Sequence, residues 1–231
     1  MSLEDIACFM KAHKDTLLIL LVMIVYVSLV CIGITNSSFA DTDASRHALD
    51  GLYYHDLVVS ILSGEMGISF SNIYNFTTEQ FLRYPAMGLL WWPPFFPFVE
   101  ALFYMLFGVS IVSAKLCIIF FGILGIVFWY FLVIEIFKKY KLKHSLAFFS
   151  SLLFAIAPFI FRYSRTIMRE VPATSLCIVA SFFFIKWIRE KGNKGDNNIV
   201  LTALFWAFAV LTKSETIFLG IVFLIYLLYN K

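Results

Sequence analysis

Asp43, His47, Asp50 and Tyr54, in the stretch "DASRHALDGLYY", recur at three and four residues, so on a helix they share one polar face, with Arg46 four positions before Asp50. A carboxylate on that face can act as a general base, or can hold a divalent cation together with the His47 imidazole. The plainer reading is a helix start capped by Asp43 with a solvated face beyond it. Position adds to spacing. The stretch "FADTDASRHALDG", residues 39–51, begins after only four residues beyond the apolar run "TLLILLVMIVYVSLVCIGI", which places Asp41, Asp43 and Asp50 at the exit of a membrane span.

A second group lies in "FRYSRTIMREVP", residues 161–172. Arg162, Arg165 and Arg169 are spaced three and four apart, so one helical turn would align their guanidinium groups as a clamp for a phosphate. Pairing with lipid headgroups or with loop carboxylates satisfies the same spacing. Glu170 follows, close to membrane depth, where an ionisable group is either functional or the salt-bridge partner of Arg165 or Arg169. Lys213, in "LTKSE", is either an interfacial anchor or a cation for a phosphate.

The elements that must position these residues are membrane helices. Hydrophobic residues make up 61% of the chain and charged ones 14%, in long apolar runs, so the bilayer is the expected solvent for the core. A net charge of only +3 argues against a nucleic-acid partner. Cys8, Cys31, Cys117 and Cys177 form no CxxC or His-spaced pattern and read as thiols, neither disulfides nor zinc ligands.

Spans are expected at Thr16–Ile34, Val112–Ile136, Ser145–Phe161 and Val171–Trp187. The first is too long for a signal-peptide core and lacks a small-residue cleavage site, so it reads as a retained span. Two shorter runs, Ile199–Leu211 and Ile217–Tyr229, read as a terminal hairpin with "TKSE" at its tip. The fold class is therefore all-α and polytopic, with about four full spans plus the hairpin, six apolar helices in one transmembrane domain over residues 1–231.

Lys11 and Lys14, "KKYKLKH" at 138–144 and "IREKGNK" at 188–194 fall on one side of such an arrangement, which makes that side and the N-terminus cytoplasmic. Residues 35–110 then form an extracytoplasmic loop, in which Ala44–Leu62 has the spacing of an interfacial helix. The stretch "WWPPFFPFVEALFYMLFG", 91–108, holds three prolines and Glu100 and reads as a second interfacial helix, with Trp91 and Trp92 at headgroup depth.

Taken in order, "DASRHALDGLYYHDLV", "YPAMGLLWWPPFFPFVEALFYMLFGVS", "SRTIMREVP" and "LTKSE" resemble the opening half of the glycosyltransferase family 39 membrane enzymes of the GT-C fold. That group includes the protein O-mannosyltransferases and the aminoarabinose transferases. The resemblance implies a glycosyltransferase that moves a sugar from a polyprenyl-phosphate carrier, dolichyl or undecaprenyl, to a protein, lipid or glycan acceptor on the outer side of the cell membrane. Its first-loop acidic motif matches Asp43 as the base, although Ala44 stands where the family usually has Glu. Its second-loop acid matches Glu170, with Val171 before the proline, and its Leu-Thr-Lys-Gly block matches Lys213, with Ser214 for glycine.

With an acceptor hydroxyl to deprotonate and a lipid phosphate to release, Arg162, Arg165, Arg169 and Lys213 become candidate phosphate ligands. Arg46, His47 and Asp50 become supports for Asp43, with Asp43 and His47 the residues for any divalent metal. Family members are usually much longer, so the chain is expected to be a piece of a larger module or to work with a second polypeptide. The competing expectation is a non-catalytic membrane subunit that binds the lipid-phosphate carrier.

The topology carries a direct test. In a background lacking the four native cysteines, cysteines placed at Ser71 and at His144 should label with an impermeant thiol reagent only at 71. Labelling at 144 alone reverses the orientation.

Overall fold

The structure, a computed structural model, describes residues 13–35, 42–89, 91–190 and 193–229. Its helices are α1 (Lys14–Val30), α2 (Thr42–Leu62), α3 (Phe70–Arg83), α4 (Phe95–Phe107), α5 (Ile111–Ile136), α6 (Lys143–Ile156), α7 (Pro158–Tyr163), α8 (Glu170–Arg189), α9 (Asn193–Val210) and α10 (Ile217–Tyr229). A single turn of 3₁₀ helix, Ser214–Thr216, joins the last two. No strand occurs among the described residues.

Among the described residues two helices are long and apolar enough to cross a membrane, α5 with 26 residues and α8 with 20. At about 1.5 Å per residue they reach roughly 39 and 30 Å, against a hydrocarbon core of about 30 Å. α5 begins at a Ser110 cap, whose hydroxyl accepts the Ser113 N–H at 3.1 Å. α8 packs along both α5 and α9, and α1 and α6 close over the other side of α5. The approach of α1 is close because Gly122 carries no side chain, and a Cβ there would overlap the Tyr26 hydroxyl. That hydroxyl instead donates to Ser164 Oγ at 2.8 Å, tying α1 to the chain after α7.

Two expected spans fall short of one spanning helix, and the first, Thr16–Ile34, yields only the 17 residues of α1, which ends at Val30. The run Ser145–Phe161 breaks at Ala157, which is extended (φ −56°, ψ 134°) before Pro158, so α6 ends at Ile156 and α7 restarts as a separate six-residue turn. Proline removes an N–H donor and disfavours helical backbone in the residue before it, so the apolar pattern persists where the helix cannot. The final hairpin also differs in its bounds, α9 starting at Asn193 rather than Ile199.

In the first loop α2 and α4 are both helical and pack against each other. α3 is an addition the apolar pattern did not show. It starts at Ser69, whose hydroxyl accepts the Asn72 N–H at 3.2 Å.

At one end of the bundle Asp15 Oδ1 accepts the Tyr130 hydroxyl at 2.7 Å and meets His144 Nδ1 at 2.6 Å. There too the Arg189 guanidinium donates to the carbonyls of Glu135 and Ile136. The starts of α1 and α6 and the ends of α5 and α8 therefore share that end. Asp43, Glu170 and Lys213 gather at the other.

Candidate active site

The site is assembled by four segments: the start of α2, residues 84–89 with 91–94, the start of α8, and residues 211–213. Asp43, in the first turn of α2, keeps a side chain 45% exposed and meets Arg46 Nη1 at 3.5 Å. One and two helical turns on, His47 and Asp50 are buried. Asp50 Oδ1 accepts the Gly88 N–H at 2.8 Å, while the Gly88 carbonyl accepts the N–H groups of Trp91 at 2.9 Å and Trp92 at 3.2 Å. Only glycine fits at 88, since a Cβ would lie 2.5 Å from the Trp92 ring.

Trp92 is held from two sides. The His47 ring lies 4.0 Å from it, centroid to centroid, and the Arg169 guanidinium sits 4.8 Å over its face. Arg169 Nη1 also donates to the Thr212 carbonyl at 3.1 Å, and the Phe95 N–H donates to the Leu211 carbonyl at 2.9 Å. The outer loop is thus pinned to the turn between α9 and α10. Beside these contacts Lys213 Nζ donates to Glu170 Oε1 at 3.0 Å.

Three cavities open at this end. Asp43, Arg46, Gly88, Trp91 and Trp92 line one of about 390 Å³. Glu170, Lys213, Glu215 and Thr216 border one of about 330 Å³. A third, of about 310 Å³, is lined by Lys115, Arg162, Ser164, Arg165 and Thr166.

Burial sets the electrostatics. It pushes Asp50 up to about 6, against the Gly88 hydrogen bond and the Arg169 charge. His47 is pushed down to about 3, first by burial and then by Arg169 and Lys213, so it is a neutral ring at physiological pH. Burial also lowers Arg169, which the carboxylates of Glu170, Glu215, Asp50 and Asp43 oppose. Glu100 is fully buried in α4, accepts the Tyr104 hydroxyl at 3.1 Å, and is held well above the usual carboxylate range by burial.

The structure separates residues that spacing grouped. The three arginines do not share a helical face, because the chain leaves the helix after Tyr163 and resumes it at Glu170. Arg165 donates to the Ile32 carbonyl at 2.8 Å and packs over Phe161, Arg162 packs over Tyr163, and Arg169 alone reaches Trp92. Arg46 pairs with Asp43 and not with Asp50. The expected polar face of α2 is buried beyond its first turn, and Tyr54 packs edge-on against Tyr53 and Phe98. Lys213 is paired with Glu170, not alone at a tip. Among the described residues no three His, Cys, Asp or Glu side chains converge as a metal site, so Asp43 and His47 have no third ligand there. Asp41 lies outside the described residues.

Sequence reasoning gave Trp92 a headgroup role and Glu100 none. Their signal was present in the spacing Phe96, Glu100, Tyr104, which sets the acid on the buried face of α4. Lys115 was also passed over, a lysine buried in the first turns of an apolar helix.

A family model described as dolichyl-phosphate-mannose-protein mannosyltransferase matches residues 92–231, more than half of the chain. The chain belongs to this family. No curated protein and no solved structure matches it. The match takes in Trp92, Glu100, Arg169, Glu170 and Lys213, while Asp43 and the rest of α2 precede it. With its two spanning-length helices, the chain is a membrane protein of the glycosyltransferase superfamily.

The two perturbed groups predict opposite pH responses. Asp50, raised from 3.8 to about 6, contributes stability below the lower value that is lost as pH rises through the upper one. His47, lowered from 6.5 to about 3, contributes stability above 6.5 that is lost as pH falls. Between roughly pH 4 and 6 the two slopes oppose each other, each about 1.4 kcal/mol per pH unit at most. In that window Asp50→Asn should make stability rise with pH, and His47→Phe should make it fall. Thermal unfolding in nanodiscs checks this, and flat curves for both variants contradict the assignment.

Proposed function

We propose that the chain is a membrane glycosyltransferase that moves a sugar from a polyprenyl-phosphate carrier to an acceptor hydroxyl on the extracytoplasmic side, with Asp43 as the general base. The observation that carries this reading is the position of Asp43, a half-exposed carboxylate facing a cavity walled by a turn that Arg169 pins in place. The other acids at this end are less suited to the task. Asp50 and Glu100 are buried and held above the usual range, and Glu170 is paired with Lys213.

In the displacement, the acceptor hydroxyl transfers its proton to an Asp43 carboxylate oxygen as its own oxygen attacks the anomeric carbon. The bond from that carbon to the carrier phosphate breaks, and the phosphate leaves with the electron pair. Arg169 and Lys213 stabilise the charge that develops, and Arg162, Arg165 and Lys115 add positive charge at the same end of the bundle. Arg46 holds the Asp43 carboxylate in place. Glu170 acts through Lys213, orienting its ammonium group, so it is a positioning residue.

Asp43→Asn keeps the size of the side chain and much of its hydrogen bonding but cannot take a proton. Turnover with a polyprenyl-phosphate sugar should fall by about 10²–10⁴ while carrier binding stays near that of the wild type. The measurement is radiolabelled sugar transfer in membranes of cells that express the protein. Retained turnover in Asp43→Asn with loss in Asp41→Asn moves the base to the neighbouring aspartate. Carrier binding without turnover in the wild type supports the non-catalytic subunit instead.

A further inference from the structure

Trp91 is 84% exposed, although its neighbour Trp92 is clamped between His47 and Arg169. The difference follows from the turn. Gly88 is fixed at its N–H by the buried Asp50 carboxylate, and its carbonyl takes the N–H groups of both tryptophans. The backbone that presents the Trp91 indole is therefore held from both sides. The indole stands over the same cavity as the Asp43 and Arg46 side chains, beside the Gly88 backbone.

An indole that only anchors a loop in the lipid interface needs no such fixing, because any orientation buries its apolar body. An aromatic ring carried on a fixed backbone beside a carboxylate and a guanidinium is a different arrangement. It offers an apolar plane for the axial C–H groups of a pyranose ring, whose weakly positive hydrogens match the negative face of the π system. At its edge are an acceptor and a donor group able to hold ring hydroxyls. A peptide serine or threonine would present little surface to that plane.

The geometry points to Trp91, Asp43 and Arg46 as a subsite for a pyranose ring of the acceptor, so that the hydroxyl deprotonated at Asp43 belongs to a saccharide. This assignment rests on the reading of Asp43 as the base, since the acceptor is the substrate that the base must touch. Trp91 sets the class of acceptor, and Asp43 performs the proton transfer.

The test is saturation-transfer NMR on the full chain in nanodiscs. Methyl α-D-mannopyranoside and a short serine- and threonine-containing peptide serve as separate probes, with wild type, Trp91→Leu and Trp91→Tyr. The saccharide ring protons should saturate in the wild type, at least tenfold less in Trp91→Leu, and within about threefold of the wild type in Trp91→Tyr, which keeps a ring face. Leucine keeps the residue apolar, so a role confined to membrane anchoring leaves the saccharide signal in place, and that result overturns the inference. Saturation of the peptide but not the saccharide overturns it as well. Displacement of the saccharide by dolichyl-phosphate mannose also overturns it, because the platform is then the donor's. Binding is read here without any transfer step, so failure of this subsite and failure of Asp43 as base appear in different experiments.

Discussion

Arg169 lies over the Trp92 ring, and most of what is arranged at this end of the molecule depends on that contact. A guanidinium is weakly hydrated and planar, so it can leave water for an aromatic face at a smaller penalty than an ammonium group. Here it does so while one of its N–H groups reaches the Thr212 carbonyl, and four carboxylates act on its charge. The contact joins three pieces of chain distant in sequence: the tryptophan turn of the first loop, the start of α8, and the turn between α9 and α10. Once Trp92 is fixed, His47 is covered, Gly88 must be glycine, and the cavity in front of Asp43 acquires its wall.

The same burial explains why the carboxylates differ from one another. Asp43 stays in the first turn of α2, near water and paired with Arg46. Asp50 is one of the groups that hold the turn, and its remaining oxygen has no partner within the protein. Glu100 is deeper still, directly against Gly51, where a Cβ would come within 2.6 Å of its Oε2. Three acids within one helix pair thus have three roles, set by their access to water rather than by their chemistry.

Much of this was legible in the sequence. The helix expected over 44–62 from its apolar spacing is present as Thr42–Leu62, and the two long helices follow from run length. The shared end of the basic clusters is reproduced by Asp15 with His144 and by Arg189 with the end of α5. The α6 break was less legible, since an apolar run reads the same whether or not Pro158 interrupts the helix. The arginines misled for a related reason: spacing of three and four implies a shared face only where the backbone is helical, and between Tyr163 and Glu170 it is not. The stacking of Trp92 joins residues 77 apart in sequence, and no local pattern encodes it. Ala44, directly after Asp43, is buried in the same apolar cluster as Phe96, so a carboxylate in its place would need a partner.

The contact that organises the site can be isolated by a double-mutant cycle. Trp92→Leu and Arg169→Met are made singly and together, and unfolding free energy is measured in nanodiscs at neutral pH. If the guanidinium and the indole hold the loop to the bundle, the double variant should be less destabilised than the sum of the singles by about 1 kcal/mol. Additivity within about 0.3 kcal/mol would show that the two side chains stabilise their own segments independently, and the account of a site built around their contact would be wrong.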